Sequence, residues 1–298
     1  MWKINGEYNM ETLFIILIVV LALLLAILLL VPFLIYPGKR REGMREFSNV
    51  LFAHRGLHDE LHAENSLSAF ARAVEHGYGI ELDVRLSEDG TLVVFHDDTL
   101  DRVAGVSGRV RDFSAEALAR MSLSGTGEGI PTFREVLDLV DGRVPLLVEI
   151  KEDAGDSKVS EKTAEMLASY RGPFVIESFN PLSLARIRHL LPEVYRGQLS
   201  DRFTREKQYR KPMYALLEMF LLNFRARPDF IAYRFDEVRF FPLRLLRALF
   251  PRPMFAYTVK SEEEEHFSRA HGFDTVIFEQ YLPKKETEDK PASDKDSL

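Results

Sequence analysis

Apolar residues divide the chain into one long hydrophobic block and a longer region of short, evenly spaced apolar runs. Residues 13–31 form an unbroken apolar run, and residues 33–36 extend it past Pro32. A helix needs about 20 apolar residues to cross a bilayer, so residues 13–36 predict one transmembrane helix after a short segment, 1–12. A secretory signal has a shorter apolar core, a basic start and a small-residue cleavage site. Here the run is longer and ends at Val31-Pro32-Phe33 without a clear small-residue site. A buried soluble helix rarely lacks polar residues on every face.

From residue 50 to about 283, short apolar runs alternate with amphipathic stretches. Strands are expected at 51–54, 79–85, 92–96, 146–151, 174–179, 194–199, 229–233, 254–259 and 275–278. Leu67, Phe70, Ala71 and Val74 recur at helical spacing before Gly77, and another helix is expected over 131–140. Strand–helix alternation implies parallel pairing through crossovers. The runs 79–85 and 92–96 are separated only by a turn at Ser87-Glu88-Asp89-Gly90, so they should form a hairpin. Removing that return arm leaves the strand number of a (β/α)8 TIM barrel. Residues 98–130 read as a small insertion over one barrel end. Residues 37–49 form a basic juxtamembrane linker, and 284–298 a polar tail expected to be disordered. The apolar stretch within 205–226 reads as packing on the barrel or as a lipid- or substrate-facing surface. Ser261 before Glu262 to Glu265 marks a capped helix start.

Composition sharpens this picture in two places. No cysteine occurs among the 298 residues, which excludes disulfides, iron–sulfur clusters and thiolate zinc sites. The net charge of −7 argues against a nucleic-acid partner. Charge around the apolar block is asymmetric. Lys3 stands with Glu7 and Glu11 before it, whereas Lys39, Arg40, Arg41 and Arg45 follow it. Basic flanks favour the cytoplasmic side, so the large domain is expected in the cytoplasm, with the basic cluster available to anionic lipid.

Candidate chemistry sits at strand ends. His54-Arg55-Gly56 closes the first strand of the barrel; a histidine can exchange protons near neutral pH and an arginine offers a planar fork for phosphate. In Glu81-Leu82-Asp83 both carboxylates point to one face of a strand. Burying such a pair calls for a cation, either a hard divalent ion, magnesium or calcium, or a basic side chain. His96-Asp97 ends the hairpin's return arm roughly opposite Glu81, giving a second histidine for an acid/base couple. Glu149-Ile150-Lys151 adds a third carboxylate and a point charge for phosphate. His58 and His62 fall at helix-face spacing after His54, but Gly56 argues for a loop there. His76, His189, His266 and His271 read as surface residues.

Taken in order, His54-Arg55-Gly56, Glu64-Asn65, Glu81-x-Asp83, Asp89-Gly90, His96-Asp97-x-x-Leu100-x-Arg102, Ile130-Pro131-Thr132 and Glu149-x-Lys151 resemble the glycerophosphodiester phosphodiesterase family. The resemblance runs from about residue 51 to 280. It implies a TIM barrel with a small insertion and a divalent metal held by Glu81, Asp83 and Glu149. It also implies His54 and His96 as the general acid/base pair, with Arg55 and Lys151 near the phosphate. Glu64, Asn65, Ser178, Phe179 and Tyr257 are candidates for the pocket wall. The sequence departs from the family pattern at Ala63, where proline is usual. It departs again at Tyr257-Thr258-Val259-Lys260, in place of tryptophan-threonine-valine-asparagine, and at Glu279, in place of a late aspartate.

The expected reaction is metal-assisted cleavage of a glycerophosphodiester to glycerol 3-phosphate and an alcohol. Two alternatives carry the same residues: lysophospholipase D or phospholipase C-like cleavage of membrane lipid, and a catalytically silent, membrane-bound binding module. The expected partners are a small-molecule diester and the lipid bilayer.

Overall fold

The computed structural model describes residues 10–39, 42–152 and 156–284. The expectations for residues 1–9, for Arg40 and Arg41 and for the tail beyond 284 lie outside the described residues. Eight parallel strands close into a barrel: β1 (Leu51–Ala53), β2 (Gly79–Leu86), β4 (Leu146–Ile150), β5 (Phe174–Ser178), β6 (Arg196–Ser200), β7 (Phe230–Arg234), β8 (Met254–Val259) and β9 (Thr275–Phe278). Closure comes from β1, which pairs with β2 on one side and β9 on the other. The ninth strand, β3 (Leu92–Val94), returns antiparallel to β2 as the expected hairpin arm. Its register pairs Val84 with Val94 and Leu86 with Leu92. The turn therefore centres on Asp89, a register one residue on from the expected one, and His96 falls beyond the paired residues.

Alternation along each strand sorts side chains into two layers. Ile80, Leu82 and Val84, Leu146, Val148 and Ile150, and Ile176 pack outward against the helices. Phe52, Leu147, Val175, Leu199, Phe230, Phe255 and Ile277 fill the interior. Phe230 and Phe255 stack at 4.2 Å in that interior. Gly197 makes room for them, since a Cβ there would stand 2.1 Å from the Phe230 ring. The outer helices start where the sequence places capping residues. Thr132 caps Phe133–Val140 in a reciprocal box with Glu135, and Ser261 caps Glu262–Ala270.

The insertion has its own small core, built from Leu100, Val103, Val110, Leu118, Leu123 and Ile130 with Phe95 and Ala63. The apolar stretch before β7 divides in two. Phe220 is buried against Tyr233, while Met213, Leu216 and Met219 are exposed.

The segment leading into β1 is part of the folded body. A short 3-10 helix, Glu42–Phe47, buries Met44 and Phe47 against the inner layer, where they floor the barrel. Thr275 Oγ1 donates to the Phe47 carbonyl at 2.7 Å, and Asn49 N donates to Asp274 O at 2.8 Å. Before this floor runs the helix Met10–Ile35, long and apolar enough to cross a membrane. Among the described residues its last turns meet the barrel, through Ile35, which is buried, Val31, which packs on the same core, and Phe33, whose ring meets Phe224 at 5.6 Å.

Candidate active site

His54 and Arg55 follow β1, Glu149 lies at the end of β4 with Lys151 following it, Ser178 closes β5, and Asp83 within β2 lies level with Glu149, so the candidates gather at the carboxyl rim where such barrels assemble sites. The register brings the acids together. Asp83 pairs with Glu149, and Glu149 with Glu177, so their carboxylates enter the interior side by side. Oxygens of Glu81, Glu149 and Glu177 converge within 4.8 Å of one another, and all three residues are buried. Asp83, fully buried, faces its neighbours: Asn65 Nδ2 donates to Oδ2 at 2.9 Å, Lys151 Nζ lies 3.2 Å from Oδ1, and Arg55 Nε lies 3.6 Å from Oδ2. Lys151 Nζ also pairs with Glu149 at 2.6 Å.

This packing divides the protonation behaviour. Burial, and then repulsion from Asp83, Glu149 and Glu177, pushes the Glu81 carboxyl well above the usual range. Burial, with Glu149 beside it, does the same to Glu177. The Glu149 carboxyl is pushed up to about 7, chiefly by burial and against the pull of Lys151. Asp83 goes the other way: burial opposes its ionisation, but Lys151, His96 and Arg55 together hold it below the usual carboxylate range. Four buried carboxylates thus face two basic side chains, and Glu177 Oε2 has no hydrogen-bond partner among the described residues. An all-oxygen donor set with an excess of negative charge fits a hard divalent cation.

Each histidine has a carboxylate behind it. His54 Nδ1 lies 2.7 Å from Glu279 Oε2, with its Nε2 4.0 Å from Glu81. Lys260 Nζ holds the other Glu279 oxygen at 2.8 Å, so two positions that depart from the family pattern meet as an ion pair. His96 Nδ1 lies 2.6 Å from Asp97 Oδ1. Burial lowers the His54 imidazole from its ordinary value, against the Glu279 hydrogen bond. It lowers His96 to about 4, against the attraction of Asp83. With Nδ1 engaged, Nε2 is the ring atom left to exchange a proton.

Ion pairs run on from Asp97. Arg102 Nε binds Asp97 at 2.6 Å, its terminal nitrogens bind Glu64 at 2.7 Å, and Glu64 in turn binds Arg55 at 2.7 Å. Glu64 and Asn65 therefore position Arg55 and Asp83. Arg55 itself adopts a left-handed backbone, φ 54°, which turns its N–H onto Glu81 Oε2 at 2.9 Å. Ser178 Oγ donates to the Ile150 carbonyl at 2.8 Å. The Phe179 ring lies 5.9 Å from Lys151 Nζ and edge-on to Tyr257, whose hydroxyl donates to Ser200 O. His58 and His62 sit in the loop after β1, with His58 Nε2 3.7 Å from Glu279.

Sequence reasoning missed Glu177 and the role of Glu279. A lone carboxylate two residues after Val175, in an apolar strand, was the available signal for the first.

Two imidazoles and a carboxylate cluster on the carboxyl rim of a closed parallel barrel define a TIM-barrel enzyme. Its family follows from comparison with known proteins. The model of the Glycerophosphoryl diester phosphodiesterase family matches residues 54–281, and the chain belongs to that family. A glycerophosphodiester phosphodiesterase of Caldanaerobacter subterraneus is 36% identical over 162 residues, 50% of this chain and 66% of the relative. One from Bacillus subtilis is 26% identical over 239 residues, 72% of this chain and 78% of the relative. The match to the Caldanaerobacter protein thus spans just under two thirds of that relative's length. Among solved structures, an Oleispira antarctica phosphodiesterase in complex with the product sn-glycerol-3-phosphate superposes with a TM-score of 0.65. It is 23% identical, over 78% of this chain and 94% of that one. A Thermotoga maritima glycerophosphodiester phosphodiesterase gives 0.59 at 27% identity, over 77% and 94%.

Proposed function

We propose that the protein hydrolyses glycerophosphodiesters to glycerol 3-phosphate and an alcohol. The observation that carries this reading is the pair of histidines at one mouth, each backed by a carboxylate, beside Arg55, Lys151 and the acid cluster. Arg55 and Lys151 bind the phosphate oxygens. One histidine takes the proton of the nucleophile, either the glycerol 2-hydroxyl or water. The other gives a proton to the leaving alcohol oxygen. Glu279 and Asp97 fix the ring orientations and offset the imidazolium charge. A divalent ion, magnesium or calcium, held by Glu81, Asp83 and Glu149 with Glu177 alongside, would polarise the phosphoryl group. We further propose that residues 13–36 span a bilayer and that the barrel, residues 50–283, lies on the cytoplasmic side.

A second reading, cleavage of a lysophospholipid, is favoured by one observation. An aromatic row leads from Phe179 through Phe203 to Tyr209 and Tyr214, beside exposed Met213 and Leu216.

The test is release of glycerol 3-phosphate from glycerophosphocholine and glycerophosphoethanolamine by the full chain in detergent. Magnesium, calcium and EDTA are compared, beside His54→Ala and His96→Ala. Metal-dependent release, reduced about 10²-fold or more in each variant, is expected. Release that survives either substitution, or EDTA, overturns the corresponding part of the mechanism. Hydrolysis of lysophospholipid alone would select the second reading.

A further inference from the structure

Strand direction gives the barrel two distinct rims, and the chain uses them for different purposes. His54 follows β1, Lys151 follows β4, Lys260 follows β8 and Glu279 follows β9, so the chemistry lies at the carboxyl rim. The apolar helix is fastened at the opposite rim. Its last carbonyl, Ile35 O, accepts from Asn223 Nδ2 at 3.4 Å, and Phe33 packs on Phe224. Both partners belong to the turn of helix Asn223–Ala226 that leads into the start of β7. Tyr36 packs on Phe250 at 5.3 Å, and Arg252 donates to the Gly38 carbonyl. Those two residues lead into the start of β8. Met44 and Phe47 then floor the interior. These ties hold residues 33–39 and 42–49 against the amino-terminal rim, which fastens the end of the helix away from the mouth.

The helix also does not run back along the barrel wall. A helix doing so would cover its own apolar side chains. Instead Leu28 is 68% exposed and Leu29 66%, and no residue of the apolar window is buried. Around its point of exit stand Lys39, Arg225 and Arg227, all exposed, with Arg252 beside them; exposed Glu42 and Glu46 share this face. Phe33 and Phe224 lie at the same level, where aromatic rings favour the membrane–water boundary.

We infer that the amino-terminal rim of the barrel is a bilayer-facing surface whose partner is anionic lipid headgroups, and that the catalytic mouth opens away from the bilayer into water. This rests on the reading of residues 13–36 as a membrane span. The mouth then stands off the headgroups by about 13 Å, the axial rise of five strand residues tilted about 36° from the barrel axis. The substrate class that follows is a water-soluble diester. A lysophospholipid would have to arrive through the aqueous phase, not sideways out of the protein's own membrane.

Because the chain has no cysteine, a single introduced one carries a unique label. The full chain, with Arg225→Cys at the rim or Leu61→Cys at the mouth, is labelled with a fluorophore. It is then reconstituted in vesicles of phosphatidylcholine and phosphatidylglycerol containing lipids spin-labelled at the headgroup. Leu61 is 77% exposed in the loop after β1, and neither residue belongs to the proposed catalytic machinery. Strong quenching at position 225, with little at 61, is expected. The quenching at 225 should weaken in vesicles of phosphatidylcholine alone or in high salt while the protein stays in the membrane. Quenching at 61 equal to or above that at 225 overturns the orientation. Quenching at 225 that ignores lipid charge and salt overturns the headgroup partner. Failure of the protein to float with vesicles after alkaline washing overturns the span itself, and the inference with it. Hydrolysis of glycerophosphocholine by the same samples reports separately on the proposed reaction.

Discussion

Replacing Phe47 by alanine removes the largest side chain of the barrel floor. Phe47 is 2% exposed, meets Tyr195 edge-on at 6.2 Å and belongs to the cluster of Met44, Phe52, Phe230 and Phe255. A buried phenylalanine covers about 150–250 Å², which at about 25 cal/mol per Å² gives roughly 4–6 kcal/mol as an upper bound. Phenylalanine-to-alanine changes in cores cost about 3–5 kcal/mol. The floor lies at a rim where Tyr195 can tilt inward, so the expected loss is about 3–4 kcal/mol. Urea unfolding of the full chain in detergent, followed by far-ultraviolet circular dichroism, reads this as a midpoint lowered by about 1 M at unchanged slope. Glu46→Ala, exposed on the same turn, is the control and should stay within about 0.5 kcal/mol. A Phe47→Ala loss below about 1 kcal/mol would refute the packing argument. Residues 42–47 would then be a tether and no part of the barrel.

Three further outcomes are expected. Glu279→Gln removes the charge behind His54 and should lower kcat by about 10²–10⁴-fold with KM little changed; a KM effect alone would assign Glu279 to substrate binding. Glu149 titrates at about 7 in the folded protein, above the ordinary carboxylate. In EDTA its contribution to stability is therefore complete below about 4.5 and is lost as pH rises through about 7. Glu149→Gln should flatten that decline in a thermal melt, and an unchanged slope would contradict the assignment. Added magnesium or calcium should raise the wild-type melting temperature most above pH 7, where Glu149 is ionised. Glu81→Gln should lose that gain.

The periodicities made most of the fold legible, because each layer of a barrel obeys an elementary rule. Ile80, Leu82 and Val84 alternate with Glu81 and Asp83, which identifies the buried outer face and the acidic inner face without any tertiary information. What escaped was set by partners distant in sequence. Glu177 looks like an isolated acid in an apolar strand until β4 brings Glu149 beside it. Glu279 and Lys260 are two unrelated departures from a pattern until β8 and β9 place them 2.8 Å apart. Asp83 and Glu81 look equivalent in sequence, yet Lys151 and Asn65 single out Asp83 as the acid held ionised. Met44 and Phe47 sit among charged residues that read as a linker, and two apolar positions are too few to show a period.

The pairing of His54 with Glu279 joins residues separated by 225 positions. His54 follows the strand made first, and its carboxylate follows the strand made last, which docks beside it to complete the ring. A chain cut between Glu177 and Glu279 would carry His54, His96, Arg55, Lys151 and the acid cluster and yet leave that imidazole without its anchor. With His54 in the role proposed for it, turnover reports on completion. Under the proposed mechanism, hydrolytic activity appears only when the final segment has closed the circle, so a partly built barrel stays silent.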